Sequence, residues 1–257
     1  MGIWNVRWWY SVIKIYCLYF EGKYSTDYIG KLYRGLKRNC TVPFEFICYS
    51  DSIVDADQVI LLPKDSPIQQ HWHKLSFFDY NFTGDGDIIV MDIDQVVVND
   101  ITPMINFPVQ ENELVSYHKW WSKSPTSLPI NGGWYKFKAG SLQHVWDKYS
   151  SDPEKWQLHY YNNGTVHYKY FGEQDFVYHT CVENGVKITQ MPGQWVAKYD
   201  KDIDLNTRYN VMYAENFDED FMILGDELNK NIRIVHFANF DNTIHEHPDE
   251  WIKEHWC

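Results

Sequence analysis

The stretch Val12 to Tyr19 is rich in β-branched and aromatic residues, has no Gly or Pro, and predicts a buried strand. Behind it, Ile29, Leu32, Tyr33 and Leu36 recur at helical spacing, with Thr26 or Asp27 placed to cap the helix. Phe44 to Tyr49 predicts a second strand that ends at Ser50-Asp51, and Val59 to Leu62 a short third one. Trp72 to Tyr80 reads as helical, and Gly84-Asp85-Gly86-Asp87 as a turn. Ile88-Ile89-Val90-Met91 is the most strand-like run of the chain, and Asp92-Ile93-Asp94 follows it directly. Strands alternating with helices over the first 100 residues predict an α/β fold built on a mostly parallel, layered sheet. The second half is less regular, with strands expected at Leu114 to Tyr117, Gly133 to Lys138 and Ile232 to Phe237, and a helix around Leu142 to Tyr149. No internal repeat, low-complexity tract or linker interrupts it, so a single domain over 1–257 is expected.

Composition narrows the classes of function. With 257 residues the chain can bury a core without staples. Its net charge of −12 argues against a nucleic-acid binder, whose footprint is a basic face, so no nucleic-acid partner is expected. An anionic substrate must then be held by local cations, because the overall field repels it. Part of the 12 Trp, 19 Tyr and 14 Phe must fill the core, and a stacking surface for sugar rings is one use for the rest that composition alone does not single out. Five scattered cysteines (Cys17, Cys40, Cys48, Cys181, Cys257) form neither a disulfide framework nor a zinc-finger spacing, so a reducing, cytoplasmic setting is expected. Asn5, Arg7 and Lys14 break up the aromatic start, and no transmembrane segment or signal peptide is expected there.

The chemistry begins at Asp92-Ile93-Asp94. Ligands of open α/β sheets sit beyond the carboxyl ends of the strands. Two carboxylates crowded there repel each other unless a cation lies between them or one stays protonated. A hard divalent ion such as Mg²⁺ or Mn²⁺ answers that problem and also accepts substrate phosphates. A solvated turn pair is the alternative. Asp92-Ile93-Asp94-Gln95-Val96 also fits the DxDx[TV] pattern of phosphohydrolases of the haloacid dehalogenase type, where the first Asp attacks phosphorus. That motif usually opens its fold, whereas here about 90 residues precede it, and Gly225-Asp226 lacks a second Asp four residues on.

A broader pattern joins this motif to others. Tyr24-Ser25, Lys31 to Leu36, Phe46 to Asp51, Trp72 to Phe78, Ile89 to Asp94, Ile130-Asn131-Gly132-Gly133, Gly172 to Asp175 and Ile234 to Phe237 follow one another in a familiar order. In that order the chain resembles the metal-dependent glycosyltransferases of the GT-A fold, and is similar to family 8, the glycogenin and galactosyltransferase type. The resemblance spans roughly residues 12 to 256. It implies a Rossmann-like single domain with a central, mostly parallel mixed sheet flanked by helices, residues 12–100 serving the nucleotide and 101–257 the sugar and acceptor.

The resemblance also implies roles. Asp92, Asp94 and His236 would hold the metal, and an imidazole among carboxylates favours Mn²⁺ over Mg²⁺. Lys74 would face the donor diphosphate, with Arg34 as a weaker second cation. Tyr19 and Tyr24 would form the nucleotide platform, and Asp51 would accept a hydrogen bond from the base. Asn131, Gly132 and Gly133 would line the sugar, the glycines letting backbone approach it. Gln174 would lie near the anomeric carbon, with Glu173 and Asp175 orienting sugar hydroxyls or the acceptor. After His236 the family's Gly and basic pair are missing: Asn239 replaces the Gly, and His247-Pro248 replaces the basic pair. His247 carries less charge near neutral pH.

The reaction so implied is metal-dependent transfer from a nucleotide sugar, a UDP-sugar, to a hydroxyl of a glycan or another acceptor. Family likeness implies retention of configuration, whereas an inverting enzyme would use Asp175 or Glu173 as base. A protein that keeps the fold and binds a nucleotide sugar without turnover is the competing reading.

Overall fold

Strand β4 (Asp87–Met91) occupies the middle of a seven-stranded sheet, with Ile88 to Met91 all buried, as a strand covered on both faces must be. In this computed structural model residues 12–117, 128–199, 231–237, 244 and 250–257 are described. On one side β4 pairs in parallel with β1 (Ile13–Tyr19), which pairs in parallel with β2 (Phe44–Ser50), itself parallel to β3 (Gln58–Leu61). On the other side it pairs antiparallel with β7 (Trp134–Lys138), then β6 (Glu113–Ser116) and β8 (Lys187–Gln190), the last two parallel to each other. The sheet is therefore mixed and mostly parallel, in the order β3-β2-β1-β4-β7-β6-β8.

Alternation along these strands splits the interior into two cores. Ile15, Cys17, Ile89 and Met91 point into one, against α1 (Asp27–Asn39) and a small second sheet. Tyr16, Leu18, Ile88 and Val90 point into the other, against the 3-10 helix Gln70–Phe78, α4 (Gln143–Ser150) and α6 (Glu173–Glu183). The small sheet orders β5 (Gln95–Val97), β10 (Ile234–His236) and β9 (Val196–Lys198), with β10 antiparallel to β5 and parallel to β9.

Several local expectations change. Thr26 stands at the start of α1 but makes no side-chain capping bond, because its backbone is already helical at φ −58° and ψ −23°. The helix expected over Trp72 to Tyr80 is a 3-10 helix that stops at Asp79, whose extended backbone and side chain cap a separate short turn, α2 (Tyr80–Thr83). Between β5 and β6 lies one further helical turn, α3 (Thr102–Ile105). The irregular second half holds α5 (Pro153–Asn162) and α6, together with β8 and β9, and the short β5 precedes it. All five cysteines are free. Among the described residues no helix is long and apolar enough to cross a membrane.

Candidate active site

Chain geometry at the carboxyl end of β4 brings the acidic pair into contact with three other segments. The Asp92 amide donates to the Gly133 carbonyl at 3.0 Å, which fixes the end of β4 against the turn before β7. Lys74, on the 3-10 helix, is 4% exposed and directs its ammonium at the Asp92 carboxylate. The same ammonium donates to the Gly132 carbonyl at 3.2 Å and lies 3.8 Å from Glu173 Oε1. Burial works against the charged lysine, but Asp92 and Glu173 more than compensate and hold its pKa above the ordinary value. Glu173 is pushed up, by burial first and by the nearby Asp92 charge, while Lys74 opposes the shift.

Asp94 faces the second sheet. Its Oδ2 accepts from the Tyr24 hydroxyl at 2.7 Å, and its Oδ1 lies 3.9 Å from His236 Nδ1. The pairing of β10 with β5 sets His236 directly opposite Gln95, and the Phe237 amide closes the corner by donating to the Asp94 carbonyl at 2.9 Å. Fully buried Gln95 spreads its amide nitrogen over the Gly133 carbonyl (2.8 Å), the Tyr117 hydroxyl (3.1 Å) and His236 Nδ1 (3.3 Å). Its oxygen has no hydrogen-bond partner among the described residues.

The turn ahead of β7 is packed from inside. Asn131 accepts the Gly133 amide on Oδ1 at 2.7 Å, and its own amide donates to Ser116 Oγ at 3.1 Å. A Cβ on Gly133 would lie 2.5 Å from the Tyr117 hydroxyl, 2.7 Å from Gln95 Nε2 and 2.9 Å from Asn131 Oδ1. The glycine is thus required by these inward neighbours, a constraint separate from the expected approach of a sugar. Gly133→Ala is expected to cost about 1–3 kcal/mol through overpacking, measured as a fall in the urea midpoint at unchanged m-value. The Gly132 amide donates to Gln174 Oε1 at 2.7 Å, coupling this turn to α6. That helix starts at Gly172, whose φ of +110° disfavours a side chain. Half-buried Asp175 follows in its first turn.

The remaining expected residues fall as follows. Tyr19 donates to the Tyr24 carbonyl at 3.0 Å, and Tyr24 is buried, its ring stacked on Tyr28 at 4.8 Å. Both tyrosines therefore face inward, and Tyr24 enters the site through its hydroxyl on Asp94. Asp51 accepts from the Glu21 amide at 2.7 Å and so anchors the turn after β1. Arg34 is not brought to the cleft: it is exposed on α1, 3.1 Å from Asp55 and 3.1 Å from the Cys257 carbonyl, as a surface helix cation finds its nearest acid. His247 lies outside the described residues.

Leu18, Phe20, Lys23, Tyr24, His71, Lys74, Asp92, Ile93 and Asp94 line an open cleft over this rim. Phe20, Lys23 and His71 were not expected. His71 packs edge-on to Phe20 at 5.2 Å, and burial, reinforced by the charge of Lys74, drives its pKa down to about 3. The only signal for these three was position: they lie just beyond the first strand and at the head of the helix that carries Lys74.

No protein-family model and no curated protein matches the sequence. Solved structures do match. The galactosyltransferase LgtC, crystallised in complex with donor and acceptor sugar analogs, gives a TM-score of 0.61 at 11% identity, over 94% of both chains. The glycosyltransferase GlyE of Streptococcus pneumoniae TIGR4 gives 0.56 at 13% identity, over 94% of this chain and 59% of GlyE. WbbM, a bifunctional glycosyltransferase, gives 0.51 at 11% identity, over 91% of this chain and 47% of WbbM. This chain has the GT-A fold.

Within the GT-A frame the acidic pair can be tested against a divalent ion. Among the described residues no three His, Cys, Asp or Glu side chains are gathered closely enough to hold a metal. Asp94 and His236 face each other, but Asp92 is turned to Lys74, because a buried ammonium requires a carboxylate in contact. The donor set itself, two carboxylates just after β4 and an imidazole on β10 of the small sheet, fits a divalent cation chemically.

Proposed function

We propose that this chain transfers a sugar from a nucleotide-sugar donor, a UDP-sugar, to a hydroxyl of a glycan or other acceptor, with a divalent cation as cofactor. One observation carries the reading: Asp92, Asp94, His236, Lys74, Glu173 and Gln174 converge where β4 ends in a GT-A sheet. LgtC, which shares that fold, was crystallised with donor and acceptor sugar analogs.

Asp92, Asp94 and His236 would hold Mn²⁺ or Mg²⁺, which supplies Lewis-acid charge for the departing diphosphate. The chain's own residues do the rest. Lys74 presents a fixed ammonium, strengthened by burial, beside the position of that leaving group. Glu173 and the Gly132 carbonyl hold the ammonium in place. Tyr24 fixes Asp94, and Gln95 steadies the His236 ring through Nδ1. Gln174, oriented by the Gly132 amide, would then lie beside the transferred sugar.

The test is turnover of a panel of nucleotide sugars with Mn²⁺ and assorted acceptors, read as released nucleotide and sugar product by mass spectrometry. Release or transfer of a sugar is expected for at least one donor. Binding of UDP with no sugar released from any donor would favour a binding protein instead.

A further inference from the structure

Three carboxylates, Asp92, Asp94 and Glu173, surround the rim, and the Lys74 ammonium is already committed to Asp92, Glu173 and the Gly132 carbonyl. An anionic ligand entering that cleft needs further positive charge, and a chain of net charge −12 supplies little at long range. The cleft wall contains one more cation, Lys23. Lys23 makes no ion pair among the described residues, and its ammonium lies 4.7 Å from the centre of the Tyr24 ring. Its neighbour His71, held neutral by burial, adds no charge of its own.

The turn carrying Lys23 is built rather than loose. Gly22 adopts φ +114°, a conformation that side chains rarely take. Asp51 accepts the Glu21 amide on one side of Lys23, and Tyr19 donates to the Tyr24 carbonyl on the other. Tyr24 in turn bonds Asp94, so the position of Lys23 is tied to the acidic pair through a single neighbouring residue.

We propose that Lys23 is a second cation for the donor diphosphate, lining the same cleft as Lys74. The inference rests on the glycosyl-transfer reading above and extends it to a residue that the sequence alone did not single out. An ammonium held over the Tyr24 ring on a pinned turn, with no carboxylate partner among the described residues, is a preorganised partner for a phosphate oxygen, and such charge-assisted bonds are among the stronger ones.

Titration calorimetry with UDP, UDP-glucuronate and uridine, at constant Mn²⁺ and low salt, tests it on wild type, Lys23→Gln and Lys23→Arg. Lys23→Gln should weaken UDP binding roughly tenfold while leaving uridine unchanged, and Lys23→Arg should restore most of the loss. Equal UDP affinity in wild type and Lys23→Gln would overturn the proposal, as would an equal loss for uridine, which marks a packing role. A loss confined to UDP-glucuronate, with UDP unaffected, would assign Lys23 to a sugar carboxylate and overturn the diphosphate contact. Failure of the wild type to bind UDP or any other nucleoside diphosphate would bring down the donor reading itself, an outcome separate from the other three.

Discussion

Asp94→Asn is expected to lower metal-stimulated cleavage of the nucleotide sugar by at least about a hundredfold, the scale of losing one preorganised electrostatic partner of a leaving group. The substitution keeps the shape of the side chain and an oxygen for the Tyr24 hydroxyl, so the 2.7 Å bond that anchors it need not break. What disappears is the negative charge facing His236 across 3.9 Å. The thermal midpoint without nucleotide should therefore stay near the wild-type value, while the upward shift with Mn²⁺ plus UDP should vanish. Retained donor cleavage in the folded variant would remove Asp94 from the site.

Lys74→Ala carries the largest expected cost in stability. The ammonium is 4% exposed and is the cation that Asp92 and Glu173 both face. Removing one member of such a buried group leaves its partners uncompensated, at about 3–5 kcal/mol. The pH dependence follows from Glu173, whose pKa already stands above the ordinary glutamate value because of burial and the nearby Asp92. An acid with a raised folded pKa binds more protons folded than unfolded, so its contribution weakens as pH rises through that folded value. Without Lys74 the folded pKa of Glu173 moves higher still. The variant should thus lose more stability relative to wild type at pH 8 than at pH 5, measured by urea melts. Lys74→Ala should also weaken UDP binding far more than uridine binding. Equal losses for both ligands would reduce Lys74 to a packing residue.

How far the sequence spoke depended on which face of each element was polar. The strands β1, β2 and β4 were legible because apolar residues fill both faces of a covered sheet, and the end of β4 marked the acidic pair. Helix α6 was not, although its buried positions Glu173, Phe176, Val177, Thr180 and Cys181 follow helical spacing. Two of the five are polar, so the hydrophobic stripe was broken where the helix enters the site. The three-residue strands β5 and β9 are too short for periodicity to register, whereas β10 falls inside the strand expected at Ile232 to Phe237, and its pairing with β5 brings His236 opposite Gln95. Lys74 was legible as a lone cation in an apolar run. Lys23 was not, because a lysine in a polar turn looks like any surface charge until the fold closes the turn over Asp94. Tyr24 was placed at the site but in another capacity: its ring is covered by Tyr28 and its hydroxyl meets the acid. Gly133 was singled out for approach to the sugar, while its constraint comes from Tyr117, Gln95 and Asn131.

The most direct measurement is the melting temperature of the wild-type chain with UDP, with Mn²⁺, and with both together. Ligand linkage raises the apparent stability in proportion to binding, so a shift with the pair well beyond the sum of the separate shifts is predicted. That synergy should be lost in Asp92→Asn and Asp94→Asn. A UDP shift of the same size with and without Mn²⁺, or no shift under any condition, would contradict the account.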